Sequence, residues 1–165
     1  YFKMNNLLFN YDEKFIYCWE MVDGRPLTAI VLKITKDTGQ LLSRPIAGTC
    51  VQHIGIILGK SVAPHGDFYV CSYTTTGIEI TPLCKFIGPN GTISYMSRDE
   101  SIAPLAVLMR LKKFFKNPEM NYCISTKNCY WFVYKIVYDK EAFKKFRNSL
   151  FVVVLLIILL LVLDG

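Results

Sequence analysis

Residues Val51 to Gly59, VQHIGIILG, decide how the rest of the chain is read. The run is apolar, rich in isoleucine and closed by glycine, too short for an ordinary helix and the right length for a buried strand. Upstream, Pro26 to Thr35 (PLTAIVLKIT) is a second such run, ended by the turn-forming KDTGQ and followed by a loop through SRPIAGT. Downstream, Asp67 to Leu83 (DFYVCSYTTTGIEITPL) reads as two short strands around Gly77, and KFIG and TISYM flank a tight Asn90-Gly91 turn that extends the sheet. Residues 1–24 mix aromatics with charges without a clean period and are expected to form an irregular or partly helical cover.

After Ser101 the period changes. Ser101 to Asn117 places Leu105, Leu108, Met109, Leu111 and Phe115 at helical spacing, with lysines opposite, and stops before Pro118. A last helix is expected to start near Cys129. Strands first and helices afterwards give an α+β fold, an antiparallel sheet packed with helices. At 165 residues the chain holds one domain, placed at residues 1–142, and a tail, residues 143–165.

The tail is dominated by Leu150 to Leu163, fourteen uncharged apolar residues. As a helix they would extend about 21 Å, short of the roughly 30 Å hydrocarbon core. A core helix would keep a polar face, which this block lacks, so an interfacial anchor or a membrane segment that continues beyond residue 165 is the better expectation. Charge agrees: of the net +6, the segment Arg110–Arg147 holds ten Lys/Arg against three acids, while the remainder holds nine against ten. Lys144, Lys145 and Arg147, just before the block, suit an anionic lipid surface on the cytosolic side. No aromatic-basic repeat or reader motif accompanies the charge, so nucleic acid is not an expected partner.

The six cysteines show no CxxC pair and no dense spacing, as reduced thiols in host-cell cytoplasm would. His53, His65, Cys123 and Cys129 have the right atoms for zinc, but their spacings match no zinc module; neither a metal nor another cofactor is expected. Cys129 stands apart by position. In STKNCYWFVYKIVY, Ser125 to Tyr138, it lies where polar turn-formers give way to a helix, and Asn128 before it suits the cap. Helix N–H groups at such a place lower a thiol pKa. His53, opening an apolar strand, is the candidate base.

The order HIGIILG, GIEITPL, NCYWFV, from His53 to Val133, resembles the H-box/NC proteins, the circularly permuted branch of the NlpC-type papain-like superfamily. That family includes lecithin:retinol acyltransferase-like enzymes, phospholipase/acyltransferase proteins and a class of picornavirus 2A proteins. The resemblance implies a permuted papain-like domain in which Cys129 is the nucleophile, His53 its general base, and the Cys129 backbone N–H an oxyanion donor. The third, orienting residue departs from the family. His65 has the sequence spacing of the acyltransferase branch but lies in a turn, and the matching strand offers Cys71 or Ser72 instead, neither of which replaces an imidazole or carboxylate. The resemblance therefore implies, first, a viral 2A-type protein that is not a protease, bound to membrane lipids and acting in replication or with host proteins; the non-Met start fits a polyprotein product. The alternative is an active thiol acyltransferase or phospholipase in which Cys129 attacks a lipid ester.

Overall fold

A computed structural model of the chain describes residues 2–3, 7–22, 25–46, 49, 51–89, 91–96, 101–116, 123 and 128–139. Along them run strands β1 (Phe2–Lys3), β2 (Leu7–Tyr11), β3 (Phe15–Val22), β4 (Arg25–Lys33), β5 (Leu41–Pro45), β6 (Gln52–Ser61), β7 (Phe68–Thr74) and β8 (Gly77–Pro82). Helix α1 (Leu83–Ile87), strand β9 (Ser94–Met96) and helices α2 (Pro104–Lys116) and α3 (Cys129–Tyr138) follow. The strands form one antiparallel sheet in the order β1-β8-β7-β6-β4-β3-β2, with β5 also on β6 and β9 on β5. The expected α+β class with an antiparallel sheet is what the chain forms.

VQHIGIILG forms most of β6, the strand with most neighbours. One edge of β6 pairs with β7, while the other is shared: β5 takes Gln52 to Ile56 and β4 takes Lys60 and Ser61. Its two glycines allow this crowding. A Cβ on Gly59 would collide with the Lys33 carbonyl oxygen of β4, and one on Gly55 would collide with Val70 and lie 2.9 Å from the Phe86 ring.

Alternation along β6 sends successive side chains to opposite faces. Ile54, Ile56 and Leu58 join Cys71, Tyr73, Ile78 and Ile80 under α2 and α3, in the main core. On the other face Ile57 packs with Leu42, Val70 and Phe86 in a smaller cluster. Phe86 comes from α1, whose start is fixed when Cys84 N–H donates to Asp67 Oδ2 at 2.9 Å. Within the main core the Tyr73 and Phe132 rings lie 5.7 Å apart, and Phe114 meets Phe132 edge-on at 5.4 Å. Arg110 of α2 donates to the carbonyls of Ile136 and Val137 and lies 3.8 Å from Asp139, so it closes the C-terminus of α3, where cations are favoured.

Several expectations are corrected. Where described, residues 1–24 are not an irregular or helical cover: β2 and β3 form a hairpin registered from Leu7↔Glu20 to Tyr11↔Ile16. Its turn is held by Asp12, whose Oδ1 accepts from the Lys14 and Phe15 N–H groups, both at 2.8 Å. SRPIAGT is not all loop, since Ser43 to Pro45 belong to β5. KFIG lies largely in α1, so the turn near Gly91 joins a helix to β9 instead of two strands. The buried face of α2 is Val107, Leu108, Leu111 and Phe114, whereas Leu105 and Met109 are exposed. The apolar tail and its basic approach lie outside the described residues; among the latter, no helix is long and apolar enough to cross a membrane.

Both β6 glycines are expected to resist even a methyl group. Gly59→Ala, which opposes backbone, should lose about 1–3 kcal/mol. Gly55→Ala, which opposes the movable side chains of Val70 and Phe86, should lose less, and urea unfolding of the two variants reads the order.

Candidate active site

Cys129 is where the sequence places it. Asn128 is extended (φ −108°, ψ −172°) and its Oδ1 accepts the Trp131 N–H at 3.1 Å, the side-chain cap that starts α3. The thiol is buried, with 5% exposure, and Sγ points at the Gln52 carbonyl from 4.0 Å. The backbone N–H groups of Ile54, Tyr130 and Cys129 itself are near enough to favour the thiolate.

Those contacts put the thiol at one edge of β6. In an antiparallel ladder, alternate residues send their backbone groups to opposite edges. Val51 accepts from Ile46 N–H at 3.0 Å and Ile57 donates to Gln40 at 2.8 Å, so odd-numbered residues bond toward β5. Gln52 and Ile54 therefore face the β7 edge, where pairing reaches only as far as Gly55↔Ser72. Sulfur occupies the end of the ladder that β7 leaves open.

His53 follows the opposite parity. Its ring is 5.6 Å from that of Phe86, on the face away from α2 and α3, and it lines a cleft of about 390 Å³ with Arg44, Ser72, Glu79 and Thr81. Imidazole and thiol thus flank the same stretch of β6, one from a face and the other from an edge. Among the described residues no hydrogen bond joins them.

Electrostatics keep both groups neutral. Burial, helped by the charge of Arg44 and opposed by Glu79, pushes His53 down from 6.5 to about 4. Burial also raises the Cys129 thiol above its usual value, and the three N–H groups offset only part of that. Desolvation disfavours each charged form, so the thiol pKa is raised, where the helix start was expected to lower it, and the imidazole is held neutral.

Of the candidates for the third position, Ser72 shares the cleft with His53. Cys71 points into the main core, on the other face. His65 is exposed, with φ 57°, in the β6–β7 connection. Eight residues of strand at about 3.3 Å each separate His53 from Ser61, so that connection lies roughly 25 Å from His53, and His65 does not orient its ring. Cys123 is exposed, and among the described residues no three His, Cys, Asp or Glu side chains are grouped to hold a metal. Trp131 is buried in the core, whereas Tyr134 is exposed. Lys144, Lys145 and Arg147 lie outside the described residues.

Sequence reasoning named only His53 and Ser72 of the cleft's lining and missed the rest, Glu79 and Arg44 among them. Glu79 is the acidic residue of GIEITPL, and the alternation Ile78, Glu79, Ile80 was the available signal that it shares a face with His53. Arg44 was hidden in the supposed loop. Comparison of the chain with protein-family profiles, curated proteins and solved structures finds no match.

The neutral His53 should register in stability. Between about 4 and 6.5 the unfolded chain binds this proton and the folded chain does not, so stability falls as pH falls through that window. From pH 7 to pH 5 the loss should be about 2 kcal/mol. Urea unfolding at both pH values should show that difference shrinking sharply in His53→Gln.

Proposed function

We propose that the chain is an H-box/NC-type protein of the picornavirus 2A kind, a circularly permuted papain-like domain that is not a protease and works at cytosolic membranes in viral replication or host interaction rather than through catalysis. The observation that carries this reading is that, among the described residues, no hydrogen bond joins the two candidate catalytic groups. Cys129 spends its sulfur contacts on the backbone of Gln52 and Ile54, and His53 turns into a cleft on the far face. A general base must come within hydrogen-bond reach of the proton it removes. The capped helix and the succession of His53 strand, Gly77–Leu83 segment and Asn128-Cys129 support the H-box/NC part of the proposal.

A second reading, acyl transfer or phospholipid hydrolysis through Cys129, draws on one observation: the thiol flanks the backbone on either side of His53. In that reading a change of His53 rotamer and of the local strand edge would bring base and nucleophile together. The basic approach and apolar tail support membrane attachment in both readings, with Lys144, Lys145 and Arg147 meeting anionic headgroups.

Iodoacetamide separates the two. For the non-enzymatic protein, Cys129 should be alkylated at pH 7 more slowly than the exposed Cys84 and Cys123, and His53→Ala should leave its rate unchanged. Fastest labelling at Cys129, slowed by His53→Ala, together with a thioester formed from labelled phospholipid, would establish the enzyme instead.

The membrane proposal has its own measurement. Removing residues 148–165 should release the protein from liposomes and leave it folded, since the described packing lies upstream. Neutralising Lys144, Lys145 and Arg147 in the full chain should weaken binding to phosphatidylserine vesicles by about 1 kcal/mol per residue and barely affect neutral ones.

A further inference from the structure

The cleft on the α1 side of the sheet has a chemistry of its own, independent of whether Cys129 reacts. Its floor is polar and buried: His53, Ser72 and Thr81, at 8%, 3% and 6% exposure, come from three adjacent strands and share one face. Burying such groups is costly unless they meet polar partners. Arg44 stands beside them with its guanidinium 5.7 Å from the Phe86 ring centroid. Its Nε is shut off from solvent and has no acceptor among the described residues.

The charges around the cleft do not cancel. Arg44 and Lys85 line it with Glu79 as the acid, and Glu79 accepts from the hydroxyls of Thr74 at 3.2 Å and Thr76 at 2.8 Å. Among the described residues that line the cleft, one positive charge is left over. A cleft of about 390 Å³ exceeds what a bare ion fills and falls within the range of small-molecule sites, roughly 300–1,000 Å³. Phe86 supplies an apolar wall, and a planar guanidinium suits a planar, singly charged oxyanion.

We propose that this cleft binds a small organic carboxylate, its oxygens meeting Arg44 and the hydroxyls of Ser72 and Thr81 and its carbon body resting on Phe86. Glu79 bars a second negative charge, which selects a carboxylate over a phosphate monoester. The site requires neither a thiolate nor a membrane, so its success or failure is separate from that of the function proposed above.

Benzoate titrated into the full chain in detergent micelles, followed through the arginine Nε–H NMR signals, tests this. A saturable shift at Arg44 is expected. Arg44→Lys, titrated with benzoate by calorimetry because the Arg44 signal is gone, keeps the charge but loses the Nε–H and the fork, and should weaken binding at least about tenfold. Ser72→Ala should weaken it severalfold and serves as the test should Arg44→Lys not fold, as judged by thermal unfolding. Lys113→Met, on α2 across the sheet, should leave benzoate affinity unchanged. Absence of a saturable shift, unaltered affinity in both cleft variants, or tighter binding of phenyl phosphate than of benzoate would overturn the proposal.

Discussion

The backbone hydrogen bonding of β6 governs this structure. A strand that bonds on both edges must find partners along its whole length, and β6 finds them by changing neighbours, from β5 over its first half to β4 at its end. That exchange dictates Gly59, where the incoming backbone of β4 leaves no room for a side chain, whereas Gly55 is dictated by Val70 of β7 and the ring of Phe86. It also creates the two unlike faces. One carries the large core under α2 and α3, and the other the small cluster that ends in the polar cleft.

Much of the sheet was legible because its signals were local. β4, β6, β7 and β8 are apolar or alternating runs bounded by turn-formers, and α3 has a capping asparagine. The N-terminal hairpin was not legible, because β3 is apolar on both faces: Ile16 and Cys18 are buried, while Tyr17 and Trp19 stack on each other at 5.8 Å. With both faces filled, the period of two vanishes. α1 has five residues, too few to display a helical period, and its LCKFI pattern passes equally for a strand. For α2 the sequence found the helix but rotated its buried face, choosing the flexible Met109 over Val107.

The site divides along the same line. Cys129 and Asn128 were legible because a cap is a property of a few consecutive residues. Which way His53 points is decided by parity along β6 and by the register of its neighbours, and a single step inverts it. No local pattern encodes that choice. Glu79 and Arg44 converge on His53 from β8 and β5, far apart in the chain, so only the strand order brings them together.

The sulfur at the open end of the β6–β7 ladder has a mechanical consequence. Because Cys129 opens α3 and its side chain meets a β6 carbonyl beyond the reach of β7, the helix start and the strand end are tied to each other, whatever the chemistry of the thiol. A disturbance at either one is transmitted to the other. Ser72 carries no such burden: its side chain faces the cleft beside His53, so a change there alters the cleft and leaves that tie in place.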